Sequence, residues 1–273
     1  MTGYVGAHSP RLKAARRLAK RAFRDRDRAF LAEGPQAVGE AFAHGAVIAD
    51  LFVTASARRR HADLIDAIAA GVTQIHLIND ATMGELAQTV TPQGLLAVCG
   101  FVDVTLGDAL GGAPRLVAVL ANVRDPGNAG TVLRAADAAG AAAVIFADAS
   151  VDPYNAKCVR ASAGSLFHLP VVVGVRLAEA VSELRAAGLR VVAADGRAGR
   201  SLDEPDVRQR LAARTAWVFG NEAWGLPPEL VTLTDEAVAV PIYGRAESLN
   251  LATAAAVCLY ASARSQRVNE NSV

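Results

Sequence analysis

Three short stretches of the chain have the residue types and spacing that bind a small charged or hydroxylated ligand. The first is "NVRDPGNAGTVLRAADAAGA" (residues 122–141), where a strand-like run ends in a glycine-containing turn and a helix follows, with Asn128 in the turn and Arg134 six residues later. A strand, a glycine turn and a helix N-terminus with free N–H groups form the general arrangement that binds a phosphate or nucleotide. The stretch contains neither G-x-G-x-x-G nor G-K-[ST], so it supports neither a dinucleotide-binding loop nor a Walker P-loop.

The other two stretches also follow strand-like runs. "FGNEAWGL" (residues 219–226) carries Gly220 and Glu222, and "VPIYGRAESLNLATAAA" (residues 240–256) carries Ser248 and Asn250 before an alanine-rich helix. In an open α/β sheet the ligand lies beyond the carboxyl ends of the strands. The three stretches are therefore predicted to meet at one site.

The elements that must position these loops follow from the pattern of apolar residues. From Arg115 onwards the chain has short, continuously apolar runs, which are typical of parallel strands covered on both faces. Helical segments separate most of them, at residues 128–139, about 154–163, 177–187 and about 249–265. The pattern predicts an α/β domain with a parallel sheet. The predicted strands lie in "RLVAVLANV", "AAAVIFAD", "LPVVVGV", "LRVVAAD", "TAWVFGN" and "EAVAVPI".

The front of the chain is predicted to be a smaller α/β unit. Residues 31–101 alternate helical and strand signals, and the glycine-rich stretch before Pro114 reads as a linker. We therefore predict a first domain at 1–103, a linker at 104–114 and a second domain at 115–273.

The net charge of +1 conceals a basic front segment. Residues 1–60 carry 12 Lys and Arg against 5 Asp and Glu, and the rest of the chain is acidic. Basic residues clustered on a helical segment indicate a polyanionic partner, although a solvated amphipathic helix explains them equally well. The candidates are Arg11, Lys13, Arg16, Arg17, Lys20, Arg21, Arg58, Arg59 and Arg60.

Composition excludes several classes of protein. Of the 273 residues, 52% are hydrophobic, and charged residues or glycines interrupt the apolar stretches before the roughly 18 residues that a membrane span needs. The arginine-rich N-terminus lacks the apolar core of a signal peptide, so a cytoplasmic location is expected. The three cysteines, Cys99, Cys158 and Cys258, are far apart, which favours buried thiols over a disulfide or metal framework.

The three stretches, in this order and spacing, resemble motifs 1, 2 and 3 of the SpoU/TrmH family of RNA ribose 2′-O-methyltransferases in the SPOUT superfamily. The resemblance includes the intervening "KCVRASAGSLFHLPV". It extends to "LAEGPQAVGEAF" and "VTPQGLLAV", which are similar to the L30e-like substrate-binding domain of many members. It implies a trefoil-knotted catalytic domain, an exception to the rule of unknotted chains. It also implies a homodimer, an RNA partner and S-adenosylmethionine as the cofactor.

The resemblance also implies roles for individual residues. Gly220, Ile242 and Leu251, with Phe219 and Asn221 beside Gly220, match positions that hold the cofactor, and Asn128, Arg134, Glu222, Ser248 and Asn250 match the polar active-site positions. In this family, the motif 1 arginine is usually assigned the role of activating the ribose 2′-OH, which the resemblance carries over to Arg134. Because a guanidinium holds its proton tightly, an arginine is a poor base, and bidentate binding of the adjacent phosphate is the alternative role for Arg134. No metal is required.

Simpler readings of the same residues remain open. Ser248, Asn250 and Asn128 are ordinary N-cap residues, and Glu222 is an ordinary partner for a cap or an arginine. The function favoured by the resemblance is methylation of ribosomal RNA, most specifically 23S ribosomal RNA, with transfer RNA as an alternative substrate. A catalytically silent RNA-binding assembly factor of the same fold is a further alternative, and the missing glycine fingerprint disfavours a dinucleotide enzyme.

Overall fold

The structure is a computed structural model that describes Gly6 and residues 9–71 and 73–270. The ends of the predicted domains, at residues 1–5, 7, 8 and 271–273, lie outside the described residues. The chain forms two compact units, one running up to Val102 together with Tyr154–His168, and the other comprising Asp103–Pro153 and the chain from Leu169 onwards. Among the described residues, every helix is too short or too polar to cross a membrane.

The first unit is built on a four-stranded mixed sheet. Its strand order is β1-β4-β2-β3, in which β4 is antiparallel to β1 and β2, and β2 is parallel to β3. Phe52 and Leu96 pair across β2 and β4 and belong to the apolar core on which α1 packs through Leu12 and Ala15. The elements are α1 (Pro10–Arg17), α2 (Arg21–Asp27), β1 (Ala29–Glu33), α3 (Pro35–Ala43), β2 (Ile48–Thr54), α4 (Ala55–Arg60), α5 (Ala62–Ala69), β3 (Gln74–Ile78), α6 (Asp80–Leu86) and β4 (Leu95–Gly100).

The second unit has a six-stranded sheet in which every pairing is parallel, in the order β10-β8-β9-β5-β6-β7. This confirms the predicted α/β fold and all six predicted strands. The elements from residue 106 onwards are α7 (Leu106–Leu110), β5 (Leu116–Ala121), α8 (Pro126–Ala139), β6 (Ala143–Ala147), α9 (Ala156–Ser162), β7 (Val171–Val175), α10 (Leu177–Ala186), β8 (Arg190–Ala194), α11 (Pro205–Arg210), β9 (Thr215–Phe219), α12 (Pro228–Val231), β10 (Glu236–Val238) and α13 (Leu251–Glu270).

The central strands β5, β6 and β9 are buried along their whole length. Continuous burial requires cover on both faces of the sheet, which explains why these strands read as unbroken apolar runs. Trp217 of β9 is fully buried and donates its indole N–H to Ser262 Oγ of α13 at 2.9 Å. Trp217 is thus a packing residue of the core, and its polar atom has the partner that burial requires.

The three cysteines are free and buried, as the sequence predicts. Burial raises the pKa of the Cys99 and Cys258 thiols to about 12. Both thiols are therefore neutral and unreactive near neutral pH.

The basic front segment forms two helices instead of one. Lys20 has an extended backbone between α1 and α2, and the buried Arg24 donates from Nη1 to the carbonyl oxygens of Leu18 and Ala19 at 2.8 and 3.0 Å. These carbonyls follow α1 and lack helical partners, so Arg24 satisfies them from the next helix. One of the basic residues of this segment is thus structural.

Two further features differ from the predicted organisation. The predicted linker 104–114 contains α7, whose Leu106, Ala109 and Leu110 are buried in the core of the second unit. Residues 154–168, predicted as part of the second domain, pack with the first unit, where Tyr154 lies against Phe30 with ring centroids 4.8 Å apart. Long-range packing of this kind leaves no local signal in the sequence.

Candidate active site

The first predicted loop connects β5 to α8. Asn122 takes a left-handed conformation with φ of 59° as the chain leaves the strand. Asp125 is the N-cap of α8, accepting a hydrogen bond from the backbone N–H of Asn128 at 2.8 Å, and Pro126 follows in the first turn. Because this cap and proline fix the helix start, they set the position of Asn128.

The second loop is a tight turn at the end of β9. The backbone N–H and carbonyl groups of Asn221 and Gly225 exchange two hydrogen bonds of 2.9 Å. A Cβ on Gly220 would lie 2.4 Å from the carbonyl carbon of Gly225 and 2.5 Å from the backbone nitrogen of Leu226. The glycine at position 220 therefore allows the backbone of this loop to approach itself closely.

Asn221 joins the second loop to the first. Its side chain donates from Nδ2 to the carbonyl oxygen of Asn122 at 2.9 Å, and its Oδ1 accepts from the backbone N–H of Ala223 at 2.8 Å. The residue is only 6% exposed, so these bonds satisfy an amide that water does not reach freely. Asn221 therefore acts through the shape of both loops.

Glu222 also reaches the first loop. Its carboxylate accepts from the backbone N–H groups of Arg124 and Asp125 at 3.1 and 2.9 Å, and from Asn128 Nδ2 at 3.3 Å. Partial burial disfavours the charged form, but these backbone N–H donors outweigh it, so the pKa of Glu222 lies below its ordinary value of 4.5. Glu222 is ionised at neutral pH, and a lowered pKa makes it a weak proton acceptor.

The third loop joins through Asn250. Its Nδ2 donates to Asn128 Oδ1 at 3.0 Å, while its own Oδ1 accepts from the N–H groups of Ala252 and Thr253 and caps α13. Glu222, Asn128 and Asn250 thus form a continuous chain of hydrogen bonds across the three loops, which we call the three-loop network. The capping and active-site readings of Asn250 are compatible, because opposite ends of one amide serve both.

Arg134 contrasts with this network. It lies six residues after Asn128 in α8, roughly 9 Å further along the helix axis at about 1.5 Å per residue. Its side chain is exposed and makes no hydrogen bond or ion pair with any other described residue. The guanidinium is therefore available to a ligand.

The remaining predicted residues divide into buried and exposed. Phe219 is buried in the core, so only its backbone at the end of β9 can face a ligand, and Leu251 is half-buried at the start of α13. Ile242 and Ser248 are exposed in a segment outside any helix or strand, and Ser248 bonds to no other described side chain. In the described chain, residues 242–249 make no backbone hydrogen bond, so their N–H and carbonyl groups remain available.

The predicted RNA-binding cations of the first unit fall into two groups. Four are bound by acidic neighbours, in the pairs Arg11–Asp50, Arg16–Glu85, Arg21–Asp25 and Arg58–Asp66. Lys13, Lys20, Arg59 and Arg60 are exposed and form no ion pair within the described part of the chain, and Arg17 is exposed beside the ring of Phe23. The unpaired group presents positive charge to solvent, mainly from α1 and α4.

Sequence reasoning missed two residues that shape the site. Asp125 caps α8 and offers its backbone N–H to Glu222, and Asn122 offers its carbonyl to Asn221. Asp followed by Pro at the start of an apolar helix is a recognisable N-cap signal, so the capping role of Asp125 could have been predicted from the sequence. No comparable signal marks the carbonyl of Asn122, because that contact joins residues 99 apart in the chain.

Comparison with known proteins adds independent information. Residues 115–260 match the SpoU rRNA methylase family, and residues 9–97 match the MRM3-like substrate binding domain. The first match contains all three loops, and the second contains β1, β2, β3 and the first residues of β4 in the first unit.

Individual relatives are similar over most of their length. The chain is 33% identical over 254 residues to the 23S rRNA (guanosine(2553)-2′-O)-methyltransferase RlmP of Bacillus subtilis, covering 93% of this chain and 96% of the relative. It is 32% identical over 226 residues to the 23S rRNA (guanosine-2′-O-)-methyltransferase RlmB of Bordetella pertussis, covering 81% and 90%.

Solved structures give the same result. An AdoMet-bound rRNA methyltransferase from Sinorhizobium meliloti superposes with a TM-score of 0.83 at 29% identity, covering 95% of this chain and 96% of that one. The SpoU methyltransferase AviRb from Streptomyces viridochromogenes, in complex with AdoMet, has a TM-score of 0.82 at 29% identity, covering 96% and 99%. The similarity thus extends over both units.

Proposed function

The chain belongs to the SpoU rRNA methylase family, and on this basis we propose that it transfers a methyl group from S-adenosylmethionine to a ribose 2′-OH of ribosomal RNA, most specifically 23S ribosomal RNA. The observation that carries the proposal is the three-loop network at the start of α8, together with the solvent-facing Arg134 on the same helix. Relatives named as 23S rRNA 2′-O-methyltransferases cover nearly the whole chain, which supports the substrate class.

The second and third loops fit the cofactor chemically. The tight turn of the second loop leaves no room for a side chain at Gly220. In the third loop, the segment 242–249 offers unbonded backbone groups next to the exposed side chains of Ile242 and Leu249. An adenine ring needs an apolar surface and a few polar groups at its edge, which these loops offer. When bound, S-adenosylmethionine supplies an electrophilic methyl group, and the chain's own residues do the positioning.

The three-loop network has a positioning role in this proposal. Glu222 fixes the first loop through the N–H groups of Arg124 and Asp125, and Asn250 fixes the side chain of Asn128 from the opposite side. Holding the acceptor hydroxyl in line with the methyl donor is the main contribution that a protein makes to such a transfer. The exposed Ser248 is then the polar side chain available to the ribose.

Arg134 is proposed to contact the substrate directly. Its exposed guanidinium has no partner among the described side chains, and its position in α8 is fixed by the capped helix start. A guanidinium keeps its proton at neutral pH, so bidentate binding of the adjacent phosphate, which orients the 2′-OH, fits its chemistry better than proton abstraction. The proposed reaction uses no metal.

The first unit is proposed to bind the RNA substrate. The match of residues 9–97 to a substrate-binding domain supports this, as do the unpaired cations Lys13, Arg17, Lys20, Arg59 and Arg60. Contacts from these residues to phosphates would release counterions and make binding depend on salt.

We also propose that the chain forms a homodimer, that its second unit contains a trefoil knot and that it is located in the cytoplasm. The exposed side chains of Val257, Tyr260 and Val268 on α13 line a groove of about 840 Å³ in the second unit, which gives a second copy an apolar surface to pack on. Light scattering of the purified chain tests the dimer, and Val257→Glu should shift the measured mass towards the monomer.

The methyl transfer itself is tested with labelled S-adenosylmethionine and separate RNAs. Unmodified 23S ribosomal RNA, 16S ribosomal RNA and transfer RNA are each incubated with the purified chain, and incorporated label is counted. We expect incorporation into 23S ribosomal RNA alone. Incorporation into transfer RNA alone would establish the alternative substrate, and cofactor binding without transfer to any RNA would favour a silent RNA-binding protein.

A further inference from the structure

A small cavity in the first unit brings together three segments that are far apart in sequence. Its volume is about 210 Å³, and its walls come from the start of α3, the loop before β4 and the helix α9. These are parts of "LAEGPQAVGEAF", "VTPQGLLAV" and "KCVRASAGSLFHLPV", in which the proposed function names no individual contact residue. We call it the Glu33–Arg160 pocket, and its lining includes Glu33, Gln36, Thr91, Gln93, Val159 and Arg160.

The size of the pocket suits one planar ring system. A cavity of about 150 Å³ is enough to hold a benzene ring, and pockets for drug-sized ligands begin at about 300 Å³. A volume of about 210 Å³ therefore has room for a single heterocycle but not for a whole nucleotide. Val159 and Ala37, both buried, provide an apolar part of the wall, and Gly34 adds bare backbone.

The remaining lining is polar and carries both donors and acceptors. Gln93 and Thr91 are exposed at the pocket, and Gln93 Oε1 lies 3.0 Å from the point where a Cβ on Gly34 would stand. Gln36 is held by a hydrogen bond of 3.1 Å from its Nε2 to the carbonyl oxygen of Ala163. Side-chain amides and hydroxyls with fixed positions are the groups that read the hydrogen-bonding edge of a base.

The pocket wall includes an ion pair between the half-buried Arg160 and the carboxylate of Glu33. The Glu33 side chain is 7% exposed and accepts hydrogen bonds from the hydroxyl of Thr89 and the backbone N–H of Gln88. Arg160 Nη1 lies 3.5 Å from Glu33 Oε2, is closed to solvent and has no hydrogen-bond partner among the described residues. This contact holds the Arg160 guanidinium against Glu33 at the pocket wall, so it shapes the pocket.

We infer that the Glu33–Arg160 pocket binds one unstacked nucleobase of the RNA substrate, separate from the nucleotide that is methylated. The inference rests on the proposed function, because it takes RNA as the ligand. An apolar wall with a donor and acceptor edge is how proteins read bases splayed out from single-stranded loops. The pocket therefore selects the RNA, while the three-loop network positions the ribose.

The first test separates recognition from chemistry with the full chain and an unmodified 23S ribosomal RNA transcript. The double variant Thr91→Ala/Gln93→Ala removes two exposed side chains of the pocket and should leave the fold intact. We expect KM for the transcript to rise by at least about fivefold, the lower end of what a hydrogen-bonded base contact contributes, with kcat unchanged. Gln74→Ala, which removes an exposed glutamine of β3 in the same unit, is the matched control and should leave both constants unchanged.

A second measurement does not depend on methyl transfer. Saturation-transfer NMR of the full chain with AMP, GMP, CMP and UMP should give signals on the base protons of one nucleotide in preference to the others. The double variant should lose them and Gln74→Ala should keep them. An unchanged KM in the double variant, or an equal rise in the control, would overturn the inference.

The two measurements also separate the inference from the proposed function. If the wild-type chain transfers no methyl group to any RNA but the base-proton signals are present and depend on Thr91 and Gln93, the proposed function fails and the pocket stands. If methyl transfer is normal but no nucleotide signal depends on these residues and KM is unchanged, the pocket fails and the proposed function stands.

Discussion

The polar side chains of the second unit's loops and the cations of α1 and the turn after it in the first unit are used in opposite ways. Glu222, Asn128 and Asn250 are bonded to one another and to backbone N–H groups, so little of their hydrogen-bonding capacity is left for solvent. Lys13 and Lys20 in the first unit are exposed and form no ion pair with another described residue. Residues that are bonded to each other fix geometry, whereas unpaired cations are available to bind a substrate.

Arg134 combines a feature of each of these two groups of residues. It emerges from the helix that the three-loop network fixes, yet its guanidinium is as free as the cations of α1. The comparison therefore predicts that substitutions affect different constants: kcat for the network and Arg134, and KM for the unpaired cations.

Arg134→Ala should have the largest effect. Removal of the guanidinium takes away the proposed phosphate contact that orients the 2′-OH, and we expect kcat to fall by about 10²-fold or more, the loss that follows when a reacting group is misplaced. Affinity for S-adenosylmethionine, measured by calorimetry, should stay within a few-fold. Arg176→Ala, an exposed arginine at the start of α10, is the matched control, and activity that survives in Arg134→Ala would refute the assigned role.

Glu222→Gln should have an intermediate effect on kcat. The amide keeps the shape of the side chain but replaces one acceptor oxygen with a donor, so it cannot accept from Arg124 and Asp125 as the carboxylate does. We expect kcat to fall by about 10- to 100-fold because the first loop loses its position, with KM for RNA nearly unchanged. A fall in RNA affinity without a change in kcat would place Glu222 with the binding residues instead.

Charge reversal of Lys13, Arg17 and Lys20 should change KM and not kcat. Loss of three phosphate contacts would reduce the slope of the logarithm of the RNA-binding constant against the logarithm of the salt concentration by about 2, at roughly 0.7 to 0.9 per contact. Arg26→Glu is the control, because its guanidinium is already bound to Asp27 at 2.7 and 2.9 Å. An unchanged slope in the triple variant would mean that these cations only form a solvated helix face and do not contact phosphates.

The smallest expected effect is on stability at acid pH. Since the pKa of Glu222 is lowered in the folded protein, its stabilising contribution is complete above the ordinary value of 4.5 and is lost as the pH falls through the lowered pKa. The difference in unfolding free energy between wild type and Glu222→Gln, from urea titrations, should be constant between about pH 5 and 8 and narrow below 4.5. A difference that does not depend on pH would mean that the carboxylate's charge contributes nothing.

Much of the second unit could be predicted from the sequence because its signals are local. Continuous apolar runs identify all six strands, and the turn and helix signals place Asn128, Glu222 and Asn250 at the ends of strands. The resemblance to a known family then joined the three loops into one site. The bonds that connect them join residues 94 and 122 apart, and no local pattern encodes such a contact.

The front of the molecule was harder to predict for the same reason. The break between α1 and α2 depends on Arg24 bonding to the carbonyls of Leu18 and Ala19, and the basic composition hides that one arginine among many. The association of residues 154–168 with the first unit depends on contacts such as Gln36 with Ala163, 127 residues apart. Helix and strand patterns contain no information on such partners.

The most direct test of the account is to map ribose methylation in unmodified 23S ribosomal RNA by primer extension at low nucleotide concentration. The RNA is first incubated with S-adenosylmethionine and either the wild-type chain or Arg134→Ala. We expect a single new stop with the wild type and none with the variant. Absence of any stop with a wild-type chain that binds the cofactor, or the same stop with Arg134→Ala, would contradict it.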